Sequence, residues 1–256
     1  MSPNFFIIFI RGILNIIRIL EMSIIMENNK SYAITIISDI HLLSDKLMAN
    51  NEKFKSACLY DRKFLVEGKS LLHEALNKAS DNKTQYLLIP GDLTKDGEKQ
   101  SHIDVSKILK KWKDQDEKRQ VFILPGNHDI NNNSAYDYKN NIKATKTSPK
   151  DFFEIYSDFY GQNIISYYKD SDIFKNYLTK INKKYKREEK YSYYAQGYGS
   201  YLARFDCNLE NKNSVSIIAL DSSIYSCDVE QNNKDDKCNV IGFLSKELLR
   251  WACNMI

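Results

Sequence analysis

The sequence predicts an α/β domain built on a parallel sheet, and three observations carry that prediction. Three short apolar, β-branched runs each stop at polar residues: ITIISDIHL from Ile34 to Leu42, YLLIPGDLTKDG from Tyr86 to Gly97, and VFILPGNHD from Val121 to Asp129. The segments between them repeat apolar residues at helical spacing. Strands alternating with helices of this length pair in parallel with both sheet faces covered. Functional residues in such sheets gather beyond the carboxyl ends of the strands. The chain has 256 residues, 43% of them hydrophobic, enough for a substantial core.

The first segment, apolar from Phe5 to Met26, is interrupted by Arg11, Arg18 and Glu21. It has neither the uninterrupted length of a membrane span nor the basic flank and cleavage site of a signal peptide. Arg11, Asn15, Arg18 and Glu21 fall three or four apart and would share one helical face. Three readings stay open: an amphipathic helix contacting a membrane surface through residues 5–26, a buried helix, or a non-native extension translated upstream of Met26. Residues 1–30 are therefore set apart, and residues 31–256 form one α/β domain. Location follows the same division, membrane-associated or exported in the first case and cytoplasmic in the last.

From Ser31 the elements follow in order. SYAITIIS is the first strand, Leu65 to Ala79 a helix, QYLLIP a buried strand, Glu98 to Trp112 a helix and QVFILP the third strand. Asn131 to Lys150 is polar and punctuated, so it reads as a surface connection. Helices are expected over Asp151 to Tyr160 and Asp172 to Tyr185, which gives a helical insertion around 131–194. Tyr191 to Asp206 and Ser214 to Asp221 have half-exposed strand character. A helix from Ser245 to Met255 closes the chain.

The 37 basic and 33 acidic residues give a net charge of +4, too balanced to argue for a nucleic-acid partner. The five cysteines form no CxxC pair. Cys227 and Cys238 flank a polar loop and could pair in an exported protein, two free thiols being the other reading. GxSxG, GxxxxGK[ST] and HExxH are all missing, which removes the serine-hydrolase, P-loop and zincin readings.

The three strand ends carry metal-ligand chemistry. Asp39 and His41 are two apart, so on an extended backbone they would point to the same side. Asp92 follows Gly91, which allows a sharp turn, and its two oxygens can bridge two cations. Gly126-Asn127-His128-Asp129 offers an amide oxygen, an imidazole and a carboxylate able to fix the imidazole's tautomer.

DIH, GDLTKDG and GNHD together resemble the first three signature blocks of the calcineurin-like metallophosphoesterases. SDIHLLSDK, PGDLTKDGEKQSH and LPGNHDINN resemble a bacterial branch that includes cyclic-nucleotide phosphodiesterase-like enzymes. The resemblance implies a four-layer αββα sandwich and two divalent metal ions, with manganese, iron and zinc as candidates. It assigns Asp39 and His41 to one metal, Asp92 to both and Asn127 to the second. His128 is then the catalyst that contacts the phosphate or protonates the leaving oxygen, with Asp129 as its orienting partner. The implied substrate is a small phosphate ester, a phosphodiester or phosphomonoester, with cyclic nucleotides among the candidates. Two cations about 3.5 to 4 Å apart would neutralise the ester and activate a bridging water.

One departure is plain. The family supplies three further histidine ligands after these blocks, but the histidines here are His41, His73, His102 and His128 alone. The resemblance thus also implies a domain lacking its C-terminal strands, and a second expectation, a truncated and inactive remnant that binds metal weakly. Asp221, after the strand SIIALD, and His102, near the expected rim, are weaker site candidates. His73 is expected at the surface or in packing.

Overall fold

The computed structural model describes residues 4–6, 18–25, 31–161, 163–185, 195–208, 213–223, 225 and 242–256. They fall into two compact units, Arg11–Phe159 in one and Met1–Ile10 with Tyr160–Ile256 in the other.

The chain opens on β1 (Asn4–Phe6), which belongs to the smaller unit, and β2 (Arg18–Ile25). β2 lies antiparallel to β3 (Ser31–Ser38), with Arg18 opposite Ser38 and Ile25 opposite Ser31. The helix expected across Phe5–Met26 is therefore not what forms at Arg18–Ile25. The sequence RILEMSII alternates Leu20, Met22 and Ile24 with Glu21 and Ser23, so it fits a period of two as well as a helical one. Pairing along the edge of β3 satisfies a row of backbone groups, and that tertiary contact settles the ambiguity.

The larger unit has the sheet order β2-β3-β4-β5, in which β3, β4 (Tyr86–Ile89) and β5 (Gln120–Ile123) are parallel. Leu87, Ile89, Val121 and Ile123 are almost fully buried, each contributing about 1.5–3 kcal/mol relative to exposure. α1 (Glu52–Tyr60) was not legible as a helix, since only Phe54 of it is buried. The Asn51 side chain caps it by accepting from the Phe54 amide at 2.9 Å. α2 (Gly68–Asp81) buries Leu72, Ala75, Leu76 and Ala79, and α3 (Lys99–Lys113) buries His102, Val105, Leu109 and Trp112. The Trp112 indole N–H donates to the Leu76 carbonyl at 3.1 Å and ties α3 to α2.

Asn131 to Lys150 is more than a surface connection. It forms a small hairpin, β6 (Tyr136–Asp137) with β7 (Ile142–Lys143), and buries Ala135, Tyr138 and Thr147. Its backbone is pinned at both ends, Asn131 N–H to Thr147 O at 2.9 Å and Thr147 N–H to Gly97 O at 2.8 Å. Polar sequence does not preclude burial where backbone partners are available. α4 (Pro149–Ile155) follows, started by a Ser148/Asp151 capping box, and then a single 3₁₀ turn at Ser157–Phe159.

The smaller unit holds the sheet order β1-β10-β9-β8, formed with β8 (Ile164–Tyr167), β9 (Tyr201–Asn208) and β10 (Asn213–Ala219). β8 lies inside the stretch expected to be helical. α5 (Asp172–Tyr185) and α6 (Lys246–Met255) match the expected helices, α6 with Ser245 as its N-cap. Tyr168, Phe174, Leu202, Ile218, Leu248 and Trp251 form the core of this unit. The strand expected from Tyr191 starts only at Tyr201. Ala195–Ser200 is a turn in which Gly197 takes φ +80, and a Cβ there would meet Leu248 Cδ2 at 2.9 Å. Tyr191–Tyr194, Cys227 and Cys238 lie outside the described residues. Cys58 and Cys253 are free thiols. Among the described residues no helix is long and apolar enough to cross a membrane.

Candidate metal centre

The three motifs leave the carboxyl ends of three adjacent parallel strands, so β3, β4 and β5 deliver their first polar residues to one rim. The backbone there is not extended. Asp39 (φ 58), His41 (φ 45) and Asp92 (φ 54) are all left-handed, which corrects the expectation that Asp39 and His41 share a side through extended geometry. Such conformations cost about 1–3 kcal/mol each and persist where the surroundings fix them. Here the fixing is visible. His41 N–H donates to Asp92 O at 2.9 Å, Leu42 N–H to Leu93 O at 3.0 Å and Lys95 N–H to Leu42 O at 3.1 Å, so the first two motif loops zip together.

The second and third loops meet through glycine. A Cβ on Gly126 would lie 2.2 Å from Asp92 Oδ1, and one on Gly91 would lie 2.6 Å from the Gly126 nitrogen. Only a residue without a side chain permits this approach. Asp129, fully buried, completes the joint. Its Oδ2 accepts from the Gly126 and Leu93 amides at 2.8 and 3.2 Å, and its Oδ1 from the Thr94 amide and hydroxyl at 3.0 and 3.1 Å.

The result is a cluster of His41, Asp92 and His128 whose ligand atoms all lie within 4.8 Å of one another. His41 Nε2 is 3.9 Å from Asp39 Oδ1 and 4.0 Å from Asp92 Oδ2, and the His41 and His128 rings meet edge to face at 4.8 Å. Asn127, half-buried, precedes His128 in the same turn. The His128 amide donates to Asp92 Oδ1 at 3.0 Å, leaving Oδ2 toward His41. Ser38 Oγ donates to Asp39 Oδ2 at 2.5 Å.

Burial, with the Lys63 and His128 charges adding to it, pushes His41 down to about 3. A neutral imidazole is the form that ligates a cation. Burial, with Asp129 beside it, lifts Asp92 to about 6. One carboxylate and two imidazoles, His41 in its neutral form, held together in a strained backbone form a donor set that fits a divalent cation of the N/O-preferring class. His41, Asp92 and His128 bring the converging ligand atoms, with Asp39 and Asn127 beside them.

The orienting partner of His128 is not Asp129, whose oxygens are taken up by the loop amides. Asp96 Oδ1 lies 3.1 Å from His128 Nδ1, and Lys63 Nζ lies 3.1 Å from the same nitrogen. Burial alone would raise Asp96, but the His128 contact and the Lys63 and Lys95 ammoniums hold it well below the carboxylate range. Asp96 sits within a motif the sequence singled out, but nothing in the sequence assigned it to His128. Lys63 belongs to no motif at all.

His102 supports the rim from behind. It is fully buried, with Nδ1 2.9 Å from the Tyr156 hydroxyl and Nε2 2.9 Å from Asp129 O. His73 is exposed on α2. Asp221 lies in the smaller unit and accepts from the Gly199 and Ser223 amides at 3.1 and 3.0 Å and from the Tyr225 hydroxyl. Its bonding is that of a loop anchor.

No curated protein matches the chain at a significant level. A family model for the calcineurin-like phosphoesterases matches residues 32–228, a span that holds all three motifs and both sheets' principal strands. With its α/β architecture and its His/Asp cluster at the ends of parallel strands, this chain belongs to the calcineurin-like phosphoesterases, a family of metal-dependent phosphoesterases.

Proposed function

We propose that the chain hydrolyses small phosphate esters, phosphodiesters or phosphomonoesters, with two divalent cations at the rim of β3–β5. The observation that supports this most directly is the convergence of His41, Asp92 and His128 within 4.8 Å from three separate strand ends. Bound cations supply positive charge to the phosphoryl oxygens and lower the pKa of a water. Asp39, His41 and Asp92 would hold one cation, and Asp92 with Asn127 would hold the other. His128, 27% exposed at its side chain, stands at the cluster and donates a proton to the departing oxygen. Cyclic nucleotides are one candidate class of substrate. The near-balanced charge of the chain argues against a nucleic-acid partner.

A second reading, binding of one cation without turnover, is favoured by the histidine count. His73 is exposed and His102 is bonded to Tyr156 and Asp129, so His41 and His128 are the imidazoles at the cluster. Titrating metal-free protein with Mn²⁺ while assaying a chromogenic phosphodiester and phosphomonoester separates the two. The proposal expects two equivalents bound and turnover that Asp92→Asn abolishes. A single equivalent with neither ester cleaved gives the site to the second reading.

A further inference from the structure

Lys95 and Asp96 follow each other in the second motif loop, and both are buried, 6% and 5% exposed. Burying an ammonium is costly unless each of its three protons finds an acceptor. Those of Lys95 do. Nζ donates to Asp96 Oδ2, lies 3.3 Å from Oδ2 of Asp61 at the end of α1, and bonds the Tyr138 hydroxyl in the β6–β7 hairpin. Burial works against the charge, but Asp96 foremost, with Tyr138 and Glu98 nearby, holds the Lys95 pKa above the usual lysine range. None of its protons is left for a substrate.

Lys95 grips both groups that face the His128 ring. Its carbonyl accepts from Lys63 Nζ at 2.7 Å, its ammonium bonds Asp96, and Lys63 Nζ and Asp96 Oδ1 each stand 3.1 Å from His128 Nδ1. Whichever of the two bonds Nδ1 in a given protonation state, the ring is seated against a pair that Lys95 fixes. The two oxygens of Asp96 have separate tasks. Lys63 and the Asn132 amide approach Oδ1, both at 3.4 Å, whereas among the described residues Lys95 is the partner of Oδ2. A carboxylate held at one oxygen can turn, and one held at both has a direction.

We infer that Lys95 is a positioning residue: it sets the direction of Asp96 and the place of Lys63, and through them the orientation of the His128 ring at the cluster. Its effect on turnover rests on the proposed role of His128, whereas the seating of the ring does not. A reacting group misplaced by about 1 Å loses about 100-fold in rate. Asp61 and Tyr138 carry the brace outward to α1 and to the hairpin, two elements that the sequence did not connect with the site.

Crystal structures of the metal-free full chain as wild type, Lys95→Met and Lys99→Met test this. Lys95→Met keeps the carbonyl that holds Lys63 and removes the ammonium. Asp96 should turn until Oδ1 is out of hydrogen-bonding distance of His128 Nδ1, and the His128 ring should leave its edge-to-face contact with His41. Lys99→Met removes a nearby ammonium that pairs with Asp151, and should leave both contacts as in the wild type. With Mn²⁺ and the chromogenic esters, Lys95→Met should lower kcat by about 100-fold at unchanged KM. An unmoved Asp96 and His128 in Lys95→Met, equal displacement in both lysine variants, or a raised KM at unchanged kcat overturns the inference. Should Lys95→Met fail to fold, Asp61→Asn loosens Lys95 from the outer side, where the Asp61 side chain is 23% exposed. A smaller displacement in the same sense is expected there, and wild-type geometry overturns the inference. A wild type that cleaves no ester, with the ring displaced in Lys95→Met, sinks the catalytic reading and leaves the positioning role standing.

Discussion

Two aspartates, one in each unit, make an instructive pair. Asp92 and Asp221 both follow a strand, and burial raises both to about 6. Their partners differ. Asp221 is surrounded by donors, two backbone amides and the Tyr225 hydroxyl, so it holds a loop together. Asp92 accepts one amide through Oδ1 and turns Oδ2 toward an imidazole, with left-handed φ values at itself, Asp39 and His41. A raised carboxyl pKa alone therefore does not mark a site. What marks it is a carboxylate with an oxygen left over, facing other ligand atoms in a strained backbone.

The sharpest way to break this comparison is to neutralise each aspartate. Asp92→Asn should weaken Mn²⁺ binding by about 100-fold or more, at the upper end of the loss seen for residues that only support a metal site. Asp221→Asn should leave Mn²⁺ binding unchanged, and calorimetric titration of both variants checks the pair. Equal losses would dissolve the distinction.

Gly126→Ala comes next, because its Cβ would fall 2.2 Å from Asp92 Oδ1 and 2.3 Å from the Asp92 nitrogen. Neither backbone can retreat easily, so about 3 kcal/mol of stability should go, at the upper end of overpacking effects. Thermal melting measures it. A variant of unchanged stability would show that the two motif loops are not locked together.

The third difference is a pH dependence. The folded-state pKa of Asp221 is raised from 3.8 to about 6, so the folded state binds its proton more tightly than the unfolded chain does. Its favourable contribution is complete below about pH 4 and is lost as pH rises through 6, on the order of 3 kcal/mol in all. Asp221→Asn cannot titrate, so its stability relative to the wild type should improve across that window. Denaturant unfolding at pH 4 and pH 7 checks the sign. The smallest expected effect is that of Tyr225→Phe, which removes one hydrogen bond to Asp221 and should cost about 1–2 kcal/mol, with no change in metal binding.

Much of the sheet was legible because its strands are short, β-branched and cut off by polar residues. β3 is the expected strand residue for residue, and β4 and β5 lie within a residue or two of theirs. α2 and α3 followed from their apolar spacing. α1, β8 and the β6–β7 hairpin did not, since EKFKSACLY buries one side chain and the hairpin strands are two residues long. Periodicity cannot speak for elements that bury so little. Arg18–Ile25 failed for the opposite reason, carrying two periods at once.

By itself, the sequence marked which residues would gather at one rim. Asp39, His41, Asp92 and Asn127, expected as metal ligands, and His128, expected as catalyst, stand after three similar apolar runs, and parallel strands must bring such ends together. The tertiary structure alone decided what each of them does to its neighbours. Asp129 was expected beside His128 because it is next in the chain, but the left-handed turns and the Gly91–Gly126 contact aim its carboxylate at the loop amides instead. Asp96 and Lys63 reach His128 from 32 and 65 residues away. The physical reason is that a ligand can be recognised from its own chemistry, whereas an orienting partner is defined by direction and distance, which exist only once separate loops have packed.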